Sequence, residues 1–348
     1  MTRYILLCAI LVATMTLSAM AQSGIIRNGV VWRDTSGNEI WCNGGHMIRE
    51  GDTFYWVGYD TGPGRWPWKI HLYSSKNLAD WKFERTIIQR SGKFGDINWA
   101  GRPGILYNAA TKKYVILFEH NSPQYQRHRI GFAAADRIDG PYELVNVQPA
   151  EPGRSSGDQS VYQEGDKGYL VVTMDSDVGG RKYLNTSLAI FELSADFQRI
   201  ERKIFEGFEN VSGDRRVVPR DQSSREASHI IKVGGTYYWF TSALVGWNSS
   251  ATMWASATDL AGPWTHLRPV RTIPPSNDSY NTQHDFVIPI VGSETTTYLY
   301  AGDRYSQYTK VGTGRNIFLP LTIEDGEPTL RWYEQWRIDV ATGRTITE

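Results

Sequence analysis

Short apolar runs alternate with polar turns along most of the chain, and helical periodicity is nearly absent. The runs are rich in Tyr, Trp, Val, Ile and Phe and are broken by Gly, Asp, Asn and Pro, a pattern that predicts an all-β fold. They also repeat. A polar turn leads into an aromatic strand at Gly51-Asp-Thr-Phe-Tyr-Trp-Val-Gly58, Thr111–Phe118, Asp166–Thr173, Gly234–Thr241 and Thr295–Gly302, aligning Tyr55, Tyr114, Tyr169, Tyr237 and Tyr298. A second element, a strand followed by a Ser/Ala-Asp turn and an aromatic, follows most copies: Tyr73–Trp81, Phe132–Tyr142, Ile190–Phe197 and Ala255–Trp264. Five copies at roughly sixty residues predict a five-bladed β-propeller of four-stranded blades. The fifth copy is the least complete. Asn316–Leu321 and Trp332–Ile338 are its expected outer strands, and a strand near Gly29–Trp32 is expected to close the ring.

The beginning of the chain changes this picture. Thr2-Arg3, the apolar run Tyr4–Leu17 and the small-x-small Ser18-Ala19-Met20-Ala21 read as a secretory signal over residues 1–21. Residues 22–348 are then a single propeller domain, secreted or periplasmic. No later run is apolar for long enough to span a bilayer. Only Cys42 lies beyond the leader, which excludes an intrachain disulfide and leaves stability to the core. With 37 basic and 37 acidic side chains the formal net charge is zero, so the composition lacks the basic excess of a nucleic-acid binder. No spacing resembles a zinc site, so no catalytic metal or other cofactor is expected; a structural calcium ion in the channel would be compatible with the pattern but nothing in it asks for one. The pattern carries no oligomerisation signal, and a monomer is expected. The 13 Trp and 19 Tyr fit an apolar core and also the ring faces against which the C–H face of a sugar packs.

In a propeller the starts of the innermost strands converge on one funnel, so polar residues there are the candidates for chemistry. The chain presents Trp41–Ile48, Ala100–Tyr107, Ser155–Tyr162, Arg225–Lys232 and Asn281–Pro289 at these places. Asp158 and Glu226 precede apolar strands at equivalent points of successive blades, while Gln283 and Asp285 share a strand face because alternate residues point the same way. Paired carboxylates across a funnel suit glycosidic bond cleavage, in which one must hold a proton and an ionised neighbour raises its affinity for it. An inverting enzyme also needs a group that directs water to the opposite face. Glu226 is therefore the candidate acid and Asp158 its modulator; for either one alone, a turn cap or a blade-to-blade hydrogen bond is the competing reading. Trp247 is a candidate sugar platform or a core tryptophan. Asp303 and Arg304 are hydroxyl ligands or a structural ion pair, Arg102 a ligand contact or a lock between blades. His46, His229 and His284 are placed to surround the channel.

These segments resemble glycoside hydrolase family 43, and within it the branch of exo-β-1,3-galactanases. Trp41–Tyr59 is similar to that branch's His-Gly-Gly-Gly segment and following strand, and Arg102-Pro-Gly-Ile-Leu-Tyr-Asn108 to its Arg-Pro-Lys-Val-x-Tyr-Asn. Ser156–Tyr162, Gln283 with Phe286 and Val287, Gly302-Asp-Arg-Tyr305 and Phe318-Leu-Pro-Leu321 also match. Arg225-Glu-Ala-Ser-His229, with Gly235–Ser242 and Gly246-Trp247, is the most specific match. The resemblance implies that Glu226 is the general acid, that Asp158 holds the middle acidic position and that Gln283 handles the water. The chain departs from the branch in three places. Gly101 stands where the branch has a glutamate before Arg102-Pro103. Asn43 replaces a histidine, and His46 a glycine. The fifth blade gains His284 and Asp285. Asp285 is thus a candidate base, and Glu119 a candidate to fill the space vacated at Gly101. Asn43, His46, Arg102, Glu119, His229, Trp247, Asp303 and Arg304 are the expected sugar contacts. The implied activity is inverting, exo-acting release of galactose from β-1,3-galactan or arabinogalactan side chains. An α-L-arabinofuranosidase or β-xylosidase on the same fold, acting on another plant or algal polysaccharide, or a sugar-binding propeller without catalysis, are the alternatives.

Overall fold

Each aromatic strand folds back on the strand before it through a tight turn. Gly51 and Gly165 sit in two of these turns at φ +60° and +59°, a region that a side chain disfavours. The computed structural model describes residues 24–62, 68–124, 128–178, 181–208, 225–305 and 315–347; the expected secretory leader lies outside them. After a short β1 (Ile26–Arg27), the first sheet is β2 (Asn43–Glu50), β3 (Thr53–Tyr59), β4 (Lys69–Ser75) and β5 (Lys82–Gln89). The second is β6 (Trp99–Asn108), β7 (Lys113–Asn121), β8 (Arg129–Ala135) and β9 (Glu143–Gln148). The third is β10 (Ser156–Glu164), β11 (Lys167–Val178), β12 (Arg181–Leu193) and β13 (Ile200–Gly207), and the fourth β14 (Arg225–Val233), β15 (Thr236–Ala243), β16 (Met253–Ala257) and β17 (Arg268–Pro269). In these four sheets the strands pair antiparallel in chain order.

The fifth sheet runs β19 (Gln283–Val291), β20 (Thr296–Asp303), β21 (Asn316–Glu324) and β22 (Glu327–Arg331), with β18 (Arg271–Ile273) added parallel to β22 at its outer edge. A sixth sheet joins β1 to β23 (Gln335–Asp339) and β24 (Arg344–Thr347). The expected count of five blades is therefore corrected: the propeller has six. Two details behind that count change with it. Residues 335–339 leave the fifth sheet for the sixth, and the closing strand is Ile26–Arg27 rather than one at Gly29–Trp32.

Apolar side chains fill the wedges between neighbouring sheets. One wedge joins Val57 and Ile70 of the first sheet to Ile105 and Ile116 of the second; another joins Tyr238 and Trp254 of the fourth to Tyr300 and Leu319 of the fifth. The seam between the first and fifth sheets holds Trp56, Trp81 and Phe318 with Ile26, Trp336 and Ile338 of the sixth. The sixth sheet is tied there by polar bonds as well. Asn28 Nδ2 and Trp336 Nε1 both donate to the carbonyl of Phe318, each at 2.8 Å. Burying a side chain of this size stabilises by about 1.5–3 kcal/mol, so the seam is a substantial share of the fold's stability.

Candidate active site

In each of the first five sheets the innermost strand breaks its register near its first residues. The shifts fall between Asn43 and His46, Gly101 and Gly104, Ser156 and Gln159, Glu226 and His229, and His284 and Phe286. Such bulges re-aim side chains, and here they turn polar groups toward one end of the axis. Arg102 and Ala227 lie in bulges at φ +44° and +52°, a left-handed conformation costing about 1–2 kcal/mol for a non-glycine residue. The hairpins re-index the acids, because Tyr162 faces Tyr169 in the third sheet whereas Lys232 faces Tyr237 in the fourth. Glu226 pairs with Ser242 as Ser156 pairs with Met174, so Ser156, not Asp158, is the counterpart of Glu226. Asp158 lies inside its bulge, as Asp285 does in the fifth sheet.

The buried guanidinium of Arg102 gathers these residues. Nε lies 3.1 Å from Asp158 Oδ2 and Nη1 3.3 Å from Asp285 Oδ1, and Nη2 donates to Gln283 Oε1 at 3.1 Å. Three sheets meet on one planar fork, a geometry that arginine supplies and lysine does not. The other end of the Gln283 amide reaches the fourth sheet, where Nε2 donates to Glu226 Oε1 at 2.8 Å and to the carbonyl of Gly246 at 3.1 Å. Asp158 Oδ2 also accepts the backbone N–H of Ala227 at 3.0 Å, which sets it beside Glu226. Burial first, and then the charge of Asp158, push the Glu226 carboxyl well above the usual carboxylate range, although Arg102 opposes them. That direction favours the protonated carboxyl, the form in which a group can act as a general acid. Asp285 is also raised, by burial and by Asp303; it is 3% exposed and bears on Arg102, which places it behind the guanidinium.

The other expected residues divide. Trp247 is 44% exposed at the rim and stacks on Tyr305, with ring centroids 6.2 Å apart. Asn43 and Asp303 form a buried lock between the first and fifth sheets: Asp303 accepts Asn43 Nδ2 and the Gly44 N–H, each at 2.7 Å, and the Tyr305 hydroxyl at 2.8 Å. Arg304 is directed away from the funnel. It donates to the carbonyl of Tyr280 and lies over the ring of Trp332. His46 and His229 sit deeper, with ring centroids 5.3 Å apart, and line a cavity of about 400 Å³ with Met47, Ile105, Val161 and Ile288. Burial holds both imidazoles neutral, pushing His46 down to about 4. His284 Nδ1 lies 2.7 Å from the carbonyl of Ala227, and since a carbonyl can only accept, Nδ1 carries the hydrogen. Among the described residues, no three His, Cys, Asp or Glu side chains are grouped to hold a metal ion.

Glu119 faces Gly101 across the β6–β7 pair and accepts the indole N–H of Trp99. A Cβ on Gly101 would lie 2.4 Å from Glu119 Oε2, so the carboxyl occupies the space left by the missing side chain. Sequence reasoning passed over Trp99, Tyr59 and Tyr305. The last two bond through their hydroxyls at 2.7 Å beneath Trp247. The available signal was alternation: Tyr305 is two residues beyond Asp303, and Tyr59 ends the strand that pairs with Asn43.

The geometry therefore offers a buried carboxyl at Glu226, a second at Asp158 held by Arg102, and an amide that bridges Glu226 to the guanidinium, beneath an exposed tryptophan. Solved structures share the fold. An exo-β-1,3-galactanase from Clostridium thermocellum is 28% identical, with a TM-score of 0.80 over 94% of this chain and 69% of that one. An exo-β-1,3-galactanase from Phanerochaete chrysosporium, crystallised with β-1,3-galactotriose, is 25% identical, with a TM-score of 0.78 over 93% and 70%. A family 43 β-1,3-galactosidase is 26% identical, with a TM-score of 0.76 over 91% and 64%. No curated protein sequence matches the chain. The family described as glycosyl hydrolases family 43 matches residues 44–328, and the chain belongs to it.

Proposed function

We propose that this glycoside hydrolase is an inverting, exo-acting enzyme that releases galactose from β-1,3-galactan or arabinogalactan side chains. The observation that carries the reading is the Glu226–Gln283–Arg102–Asp158 chain of contacts, in which one carboxyl is buried, and so favoured in its protonated form, beside a second that is held by a guanidinium. The sugar specificity draws its support from the galactan-cleaving structural relatives at 25–28% identity. Glu226 gives its proton to the glycosidic oxygen as the bond to the anomeric carbon breaks. A water held by the free lone pair of Gln283 Oε1 adds to the opposite face and loses its proton to solvent. An amide is a weak base, so Gln283 acts here by orienting the water rather than by holding its proton. Trp247 carries the ring face of the substrate. Asp158 keeps Glu226 protonated until the leaving oxygen takes the proton.

One observation favours a second reading. The carboxyl at the second sheet comes from Glu119 rather than from the position of Gly101, so this wall of the funnel is built differently from that of a chain with a side chain at that position. An α-L-arabinofuranoside or β-xyloside would suit such a change. Product analysis on β-1,3-galactan and on aryl arabinofuranosides and xylosides, comparing wild type with Glu226→Gln, separates the two. Galactose released by wild type alone supports the first reading; turnover of the pentosides alone replaces it with the second. We also propose export from the cytoplasm, on the strength of the apolar run Tyr4–Leu17 and the small residues after it. Amino-terminal sequencing of exported protein beginning at Gln22 is the expected result.

A further inference from the structure

We propose that Glu119 is a positioning residue that donates a proton-bearing hydrogen bond to Asp158, and that Gly101 is the clearance that admits it. The proposal rests on reading Asp158 and Glu226 as the working carboxyls. Glu119 is 3% exposed and hydrogen-bonded to the Asp158 carboxyl. Two ionised carboxylates cannot share a hydrogen bond, so one of them keeps a proton. Asp158 Oδ2 already receives the Arg102 Nε and the Ala227 N–H, which favours charge on Asp158. Among the described residues, Glu119 Oε2 receives only the neutral Trp99 indole, leaving its other oxygen to carry the hydrogen. The charged groups facing Glu119 are Asp158 from the third sheet, Arg102 from its own sheet and Glu226 from the fourth. The one cation among them is shared with Asp158 and Asp285. Burial and Asp158 accordingly push Glu119 up to about 8.

Gly101 makes the arrangement testable from its other side. A Cβ there would lie 2.4 Å from Glu119 Oε2 and 2.3 Å from Trp99 Nε1. Both are far ends of side chains, so Gly101→Ala displaces the pair and leaves the strands in place. Glu119→Ala and Gly101→Ala are each expected to lower kcat about tenfold or more, and the double variant to lose no more than either alone, because both remove one and the same contact. Glu119→Gln, which can still donate to Asp158, should recover about tenfold over Glu119→Ala, and its alkaline limb should lose the ionisation near pH 8. Additive losses in the double variant, or a Glu119→Gln pH profile that superimposes on wild type, would overturn the proposal. Carbon-13 titration of labelled carboxyl groups in the folded enzyme needs no substrate. One carboxyl titrating near pH 8, and missing from Glu119→Gln, is the expected result; Glu119 titrating in the ordinary carboxylate range would sink the pair. If galactan is not cleaved, the titration still decides this point, and the kinetic arms run on whichever glycoside turns over.

Discussion

Gln283 holds Glu226 by a 2.8 Å hydrogen bond while its amide oxygen is held by Arg102 at 3.1 Å, so one side chain fixes the distance between the acid and the cation. Glu226→Gln keeps that spacing and removes the proton. Its expected effect is a fall in kcat of about 10²–10⁴, the usual contribution of general acid catalysis. The loss should be much smaller on an aryl glycoside whose leaving group needs no protonation, and comparing the two substrates checks the role. An equal loss on both would remove Glu226 from it.

Arg102→Lys retains the charge and loses the fork. Three contacts to Asp158, Asp285 and Gln283 cannot be met by one ammonium. Leaving buried carboxylates without their partner costs about 3–5 kcal/mol. Thermal melting should show that loss, and kcat should drop more than KM rises. An unchanged melting temperature would mean that the guanidinium is not what holds these carboxyls.

Trp247 stands exposed over Tyr305 without filling any core wedge. Trp247→Ala is expected to raise KM about tenfold, with little change in kcat or melting temperature. A drop in kcat alone would place Trp247 in the chemistry rather than in binding.

The pH dependence of stability follows from the raised carboxyls. Glu119 has its folded value pushed up to about 8 from an ordinary 4.5. Its contribution is fully present below 4.5 and is lost as pH rises toward 8, by up to about 1.4 kcal/mol per pH unit. Buried neutral His46 acts in the opposite sense: lowered from 6.5 to about 4, it costs stability as pH falls through that window. The wild-type curve is thus a dome, and the difference between wild type and Glu119→Gln isolates one side of it. That difference should move in favour of the variant as pH rises from 4.5 to 8, measured by chemical denaturation. A difference independent of pH would show that Glu119 ionises normally.

Trp336 is 1% exposed and bridges the sixth sheet to Phe318. Trp336→Ala should destabilise by about 3–5 kcal/mol while leaving kcat/KM near wild type well below the melting temperature. A collapse of activity without loss of stability would contradict the placement of this sheet outside the site.

The repeat of turn and aromatic strand was legible because each copy is local: residues such as Glu50–Thr53 and Glu164–Lys167 encode a hairpin by themselves. The sixth sheet was not. Its strands come from opposite ends of the chain, and neither Ile26–Arg27 nor Gln335–Asp339 carries the repeated tyrosine. At the site, Glu226, Asp158, Gln283 and Arg102 could be named because each stands just before an apolar strand. Their relative register could not, because the hairpin pairs Tyr162 with Tyr169 in one sheet but Lys232 with Tyr237 in the next, a difference in turn placement that the repeated tyrosine hides; Asp158 looked equivalent to Glu226 and is two residues out of step with it. Asp303 and Arg304 show the same limit. Adjacent residues on a strand face opposite ways, so one joins the central lock and the other meets Trp332.

The bonds made by Arg102 run between sheets that share no backbone ladder. Each of those sheets can remain intact while their mutual spacing changes, and a fork engaged on three sides tolerates little of that. Turnover is therefore a gauge of how tightly the walls are drawn around the axis. Mild heat, pressure or denaturant should silence the enzyme before any strand is lost, and cooling should restore it without refolding.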